Sequence, residues 1–151
     1  MSYDLIFSSS SLLVMPFWFL MIFAGFWGWT TRIMRSLWGV IPAAILYALL
    51  VLPDALNVFA QVSNPALGNI AALLGTPAGA TISWVHFLAF DLFVGRWAYL
   101  DGRERNIPWW LVSVALFFIL MLGPVGLLLY LALRWGWGLR TTSQPAHATS
   151  S

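Results

Sequence analysis

The chain is 151 residues long, 61% hydrophobic and only 8% charged, with a mean hydropathy of +0.86 and a formal net charge of +2. A soluble domain carries about a quarter charged residues, so this composition belongs to an integral membrane protein, and so small and scattered a charge offers nothing to nucleic acid. Cysteine is absent and all seven basic residues are arginines, which excludes disulfides, iron–sulfur clusters, thiolate zinc sites and a lysine Schiff base.

In chain order, the segment before Leu12 (MSYDLIFSSSS) carries Asp4 and no basic residue, so it lacks the n-region of a signal peptide and the first apolar run is expected to stay as a span. Crossing the hydrocarbon takes about 20 helical residues. Four segments qualify: Leu12 to Trp29, Trp38 to Val62, Ala80 to Leu100 and Trp109 to Arg134. The breaks between them hold Arg32 and Arg35, then Asn64-Pro65, Gly68, Gly75 and Pro77, then a charged loop from Asp101 to Pro108. The second connector, PALGNIAALLG, is apolar enough to be an interfacial or a re-entrant helix, and composition does not choose between them.

These runs lack the alternation of a barrel strand, so the expected fold is all-α: a bundle of four transmembrane helices with the third at its centre. Residues 1–140 form its single domain and 141–151 a flexible polar tail, where His147 has no fixed partner. Trp27, Trp29, Trp38, Trp97, Trp109 and Trp110 fall at one face of such a bundle, and Trp84, Trp135 and Trp137 at the other, as interfacial belts. Arg32, Arg35, Arg103 and Arg105, with Arg96 close by, outnumber Arg134 and Arg140 opposite. By the positive-inside rule the short loops are then cytoplasmic and both termini non-cytoplasmic.

Ionisable groups at bilayer depth are functional candidates by default, and His86 to Gly102 (HFLAFDLFVGRWAYLDG) concentrates them. At the helical rise, His86 lies about 9 Å into the third span, Asp54 about 12 Å and Asn57 about 8 Å into the antiparallel second, so these three are expected to meet. Asp91 lies at the depth of Gly123-Pro124, where proline frees the Leu120 carbonyl as an acceptor. Residues five apart are rotated by about 140°, so His86, Asp91 and Arg96 point three ways and form no triad on one face. Asp91 and His86 are read either as helix-packing hydrogen bonders or as groups that do chemistry. Arg96 belongs to the arginine-bearing edge. Asp101, Arg103, Glu104 and Arg105 read as a solvated loop with an Asp101–Arg105 pair, and Gly25, Gly95 and Gly126 as sites of close helix approach. No HExxH, GxSxG, P-loop or metal-spaced histidine pair is present.

The stretch GTPAGATISWVHFLAFDLFVGRWAYLDGRERNIPWW (Gly75 to Trp110) and the run GPVGLLLYLALR (Gly123 to Arg134), with PFWFLMIF and MRSLWGVIP before them, resemble the neoxanthin-synthase-like, or abscisic-acid-deficient-4-like, family. The resemblance covers roughly Leu12 to Arg134, and its most specific part is HFLAFDLFVGRW with the following Asp101. Plant members are plastid membrane proteins required to convert violaxanthin to neoxanthin. Without a transit-peptide-like extension this chain looks like a prokaryotic-type member of a bacterial inner membrane. The resemblance implies carotenoid metabolism by acid–base isomerisation, with no cofactor required beyond a bound carotenoid. An acid must protonate an epoxide oxygen and a base remove a polyene proton. Asp91, kept neutral in apolar surroundings, and His86 are the candidates for these roles. Asp54, Asn57, Arg96, Trp97 and Asp101 form the binding or structural polar core. The partners to expect are the bilayer, a carotenoid or similar long apolar ligand, and a homo-oligomer or pigment–protein complex. The rival reading is a non-catalytic pigment- or lipid-binding accessory subunit. A transporter is the weakest, because the halves show no inverted repeat.

Overall fold

The computed structural model describes residues 2–142. The expected tail from 143 onward, with His147, lies outside the described residues. The first helix, α1 (Tyr3–Phe23), starts nine residues before the expected span. Its serines explain the extension: Ser9 and Ser10 donate back to the carbonyls of Leu5 and Phe7 at 2.5 and 2.8 Å, which satisfies their hydroxyls inside the helix. It also ends earlier than Trp29, and the short α2 (Gly28–Arg35) follows as a separate helix, its start tied down by Thr30 Oγ1 donating to the Ala24 carbonyl at 2.8 Å.

The second span is interrupted. α3 (Ile41–Val51) gives way at Pro53 to a 3₁₀ turn, Leu52–Asp54, before α4 (Ala55–Ser63). The apolar connector is a short helix, α5 (Leu67–Leu74), packed against the start of α6 (Pro77–Glu104). Thr76 caps α6 by accepting from the Gly79 amide at 3.0 Å, with Pro77 in the first turn where its missing N–H costs nothing. α6 then runs 28 residues, about 42 Å at the helical rise. As expected it is the central helix, packing against α1, α2, α3, α5, α7 and α8.

Three helices, Tyr3–Phe23, Ile41–Ser63 and Pro77–Glu104, are long and apolar enough to cross a membrane. The fourth expected span, Trp109 to Arg134, is not a span. It divides into α7 (Trp109–Leu122) and α8 (Pro124–Thr142), and the chain reverses between them at Gly123, whose φ of +48° is cheap only for glycine. The reversal is fixed by proximity: a Cβ on Gly126 would fall 2.0 Å from the Ile119 amide nitrogen, so the two helices run backbone to backbone. Gly123 packs against Asp91, the midpoint of α6, and Tyr130 returns to Asp101 near its end. The pair is therefore a hairpin of half depth, because α7 reaches only about 21 Å.

This reversal corrects the sidedness drawn from sequence. Arg134, residue 140, Trp135 and Trp137 travel with α8 to the end that carries Arg32, Arg35, Arg103 and Arg105. All seven arginines thus belong to elements at one end, here the arginine face. The opposite face carries Asp4 and Trp84, whose indole donates to Ser11 at 3.1 Å and stacks on Phe7. The first and last described residues lie at opposite faces.

The core forms where α1, α6 and α7 meet, around Trp18, Met21, Leu92, Tyr99, Leu116 and Ile119. Trp18 of α1 lies on Gly95, where a Cβ would sit 2.5 Å from its ring. Gly95 and Gly126 thus serve close helix approach as expected. Among the described residues the Trp18 indole N–H is buried without a hydrogen-bond partner.

Two measurements check this architecture. Because the native chain has no cysteine, single cysteines at Asp4, Glu104 and Gly136 can be labelled from one side of sealed vesicles. Glu104→Cys and Gly136→Cys are expected to label together and Asp4→Cys from the other side, whereas a fourth full span would pair Gly136 with Asp4. Gly126→Ala puts a methyl group into backbone and is expected to cost at least about 1–3 kcal/mol in unfolding free energy, read by denaturant titration in micelles.

Candidate functional site

The polar residues of α6 are distributed to different tasks along its length. At the arginine face, Arg96 donates from Nη2 to the Arg35 carbonyl at 2.9 Å and from Nε to the Ser36 carbonyl at 3.2 Å. These are carbonyls at the end of α2 that no helical amide can reach, so Arg96 caps α2 and ties it to α6. Tyr99 adds to the same joint. Its hydroxyl donates to the Gly25 carbonyl at 3.1 Å, which leaves Thr31 to donate to Tyr99 over 2.9 Å.

Asp101, expected in a solvated loop, is a clamp. Its side chain is only 14% exposed, and its Oδ2 accepts from Tyr130 at 2.6 Å and from Arg105 Nε at 2.9 Å. Arg134 Nε lies 3.0 Å from the same oxygen, an ion-pair contact in which the N–H is not aimed at it. The expected Asp101–Arg105 pair is present, but the bonds from α8 are the ones that close the hairpin. Trp97 completes the joint, edge-on to Tyr130 at 5.5 Å with the Arg134 guanidinium 5.9 Å from its ring.

Asp91 faces the Gly123 turn as expected from depth. Its Oδ1 lies 3.1 Å from where a Gly123 Cβ would be, beside the first turn of α8. The Leu127 amide bonds to the Gly123 carbonyl at 3.1 Å, which makes Gly123 the N-cap. The amides of Val125 and Gly126 before it are first-turn donors that no helical carbonyl serves, and a carboxylate is favoured there.

His86 does not meet Asp54 and Asn57. Tyr47 stands at its level instead, with ring centroids 5.2 Å apart, and Phe90 stacks on it at 4.6 Å. Asp54 is seven residues beyond Tyr47 and so about 10 Å nearer the far face. It is exposed and accepts from Asn57 Nδ2 at 2.6 Å. The expectation failed on register: the level of one pair of residues in two antiparallel helices is unknown until one contact fixes it.

α4 leans away from α6, and between them opens an apolar cavity of about 190 Å³. Its walls are Val58 and Val62 of α4, Ile70, Leu73 and Leu74 of α5, and Ile82 and Phe87 of α6, with Tyr47, Ser83 and His86 as its polar side chains. Tyr47 and Ser83 were not found from sequence. Ser83 is three residues before His86, a helical neighbour that could have drawn notice, whereas Tyr47 depends on the same register. Among the described residues no group of three His, Asp or Glu could hold a metal.

These features define a helical membrane protein with its polar groups gathered on one central helix and an apolar cavity at the far-face end of it. The chain belongs to the ABA DEFICIENT 4-like family, whose pattern matches residues 5–130. It is 30% identical over 108 residues to Protein ABA DEFICIENT 4, chloroplastic, of Arabidopsis thaliana, covering 68% of this chain and 49% of that protein. The chain thus spans about half the length of that curated relative. No solved structure matches.

Removing the charge of the clamp's acceptor should loosen α8 without emptying the cavity. Asp101→Asn is expected to lower the unfolding free energy by about 2 kcal/mol, the scale of one charge-assisted hydrogen bond. Arg105→Gln, which touches only the exposed partner, is expected to cost under about 1 kcal/mol. Chemical denaturation of both variants in one detergent makes the comparison.

Proposed function

We propose that this protein acts in carotenoid metabolism by seating the end ring of a long polyene in the cavity beside His86, and that it isomerises an epoxide carried on that ring. The observation that carries the reading is the lining of the cavity: apolar walls from three helices, with Tyr47, Ser83 and His86 as the polar groups. Membership of the ABA DEFICIENT 4-like family supports the ligand class. Size supports the mode of binding. Pockets for whole drug-sized ligands run to about 300–1,000 Å³, so 190 Å³ suits a terminal ring with the chain left outside. The exposed faces of Phe87 and Phe90 on α6 are an apolar bed for that chain.

In this reading the reaction is a proton relay without change of redox state. A hydroxyl donor protonates the epoxide oxygen, the C–O bond breaks, and a base removes a proton from the neighbouring polyene carbon. The product is an isomer of the substrate. His86 is the base and the Tyr47 hydroxyl the donor, since both line the cavity. The proton taken by His86 then returns to Tyr47. Asp91 faces Gly123 rather than this cavity, so its part is to hold the hairpin turn. A non-catalytic pigment-binding subunit is the second reading, favoured by the separation of Asp91 from His86's cavity.

Expression in a host that accumulates epoxycarotenoids tests both, with pigments analysed free and co-purified. The expected result is a new isomer whose formation falls at least about 100-fold in His86→Ala and persists in Asp91→Asn. Bound but unaltered pigment would establish the accessory reading. Absence of both a bound pigment and a new isomer would sink the carotenoid reading.

A further inference from the structure

At the arginine face, α2 and the end of α6 enclose a basic cleft that the polyene reading does not use. One part, of about 410 Å³, is lined by Gly28, Thr31, Arg32, Arg35 and Arg103. The adjoining part, of about 190 Å³, shares Thr31, Arg35 and Arg103 and adds Leu100 and Glu104. Three guanidiniums from two helices therefore border two adjoining recesses, against a single carboxylate.

The other described arginine side chains are engaged. Arg96 is committed to the carbonyls of Arg35 and Ser36, and Arg105 and Arg134 to Asp101. Arg32, Arg35 and Arg103 form no ion pair among the described residues. Like charges gathered in one cleft repel, and an anion entering it removes that cost. The platform is also rigid: α2 is held at its start by Thr30 on Ala24, at its middle by Thr31 on Tyr99 and at its end by Arg96. Arg32 is set by Trp29, 5.5 Å beneath its guanidinium.

We propose that this cleft binds the phosphate of an anionic phospholipid headgroup. Guanidinium presents paired N–H groups that match phosphate oxygens in a bidentate way. Thr31 contributes no donor, because its proton goes to Tyr99. The position decides between a lipid and a free anion: the cleft is flanked by Trp27, Trp29 and Trp38, all at least 50% exposed, as side chains at a membrane boundary are. The headgroup phosphate lies at that depth, and Leu100 offers apolar surface to what hangs below it. A basic pocket at a helix boundary is where such headgroups are held.

The test uses the purified full chain in neutral detergent, with phosphatidylglycerol, phosphatidylcholine or inorganic phosphate added and the unfolding temperature followed. Phosphatidylglycerol is expected to raise it, the other two to leave it unchanged, and each of Arg32→Gln, Arg35→Gln and Arg103→Gln to weaken lipid affinity about fivefold. Arg105→Gln, already engaged by Asp101, is expected to keep full affinity. Should the single variants unfold too early to titrate, native mass spectrometry of co-purified lipid on Arg103→Gln reads the same loss. An equal rise with inorganic phosphate would overturn the headgroup assignment in favour of a free anion. Equal affinity in the glutamine variants, or no preference over phosphatidylcholine, would overturn the site itself.

Discussion

A polypeptide that reverses direction inside hydrocarbon exposes backbone groups that lipid cannot satisfy, so a turn at that depth survives only under protein cover. Gly123 makes such a turn, and much of the fold follows from how it is covered. Asp91 is packed against it at the midpoint of α6. Gly126 lets α8 lie directly on α7, so the two half-helices shield each other. At the other end of the hairpin, Tyr130 and Arg134 close on Asp101. Those contacts tie α8 to α6 in addition to its packing on α7.

The motif on α6 is therefore a sequence of joints rather than a single reactive cluster. Arg96 and Tyr99 secure α2, Trp97 and Asp101 secure α8, and Asp91 packs against the turn between α7 and α8. Each bond satisfies a polar group that packing takes from water, and leaving one unmade costs about 1–3 kcal/mol. His86 differs from the others in its surroundings, which are aromatic rings and a cavity. Structural demand explains its neighbours along the helix, and it leaves His86 over.

Composition and periodicity made the membrane class, the three long helices and the central place of α6 legible. The Asp91–Gly123 match also appeared in the sequence, though Gly123 was counted from an Arg134 placed at the far face; the match survives the reversal because α7 is about as long as the stretch from Asp91 to the end of α6. The hairpin was not legible. From Trp109 to Arg134 hydropathy is continuous, and a glycine before a proline reads equally as a kink or a reversal; the distinction rests on the positive φ and on contacts with residues 119 and 101. Two tryptophans and two arginines were placed at the wrong face for that one reason. Asp54 and Asn57 were misplaced by register, which no count from loop ends supplies when proline breaks the helix between. Tyr47 was missed for the same reason.

The half-depth hairpin also makes the protein unequal across the thickness of the membrane. Toward the arginine face, α7 and α8 cover one flank of α6; toward the far face they have already turned back, and Phe87 and Phe90 remain 56% and 59% exposed. The two leaflets thus meet different molecules: one surrounds a closed cluster of helices, and the acyl chains of the other lie directly against the central helix, beside the side chains that flank His86. An apolar solute partitioned into that second leaflet is already at the depth of the cavity, and needs to cross neither water nor the bilayer midplane to arrive there.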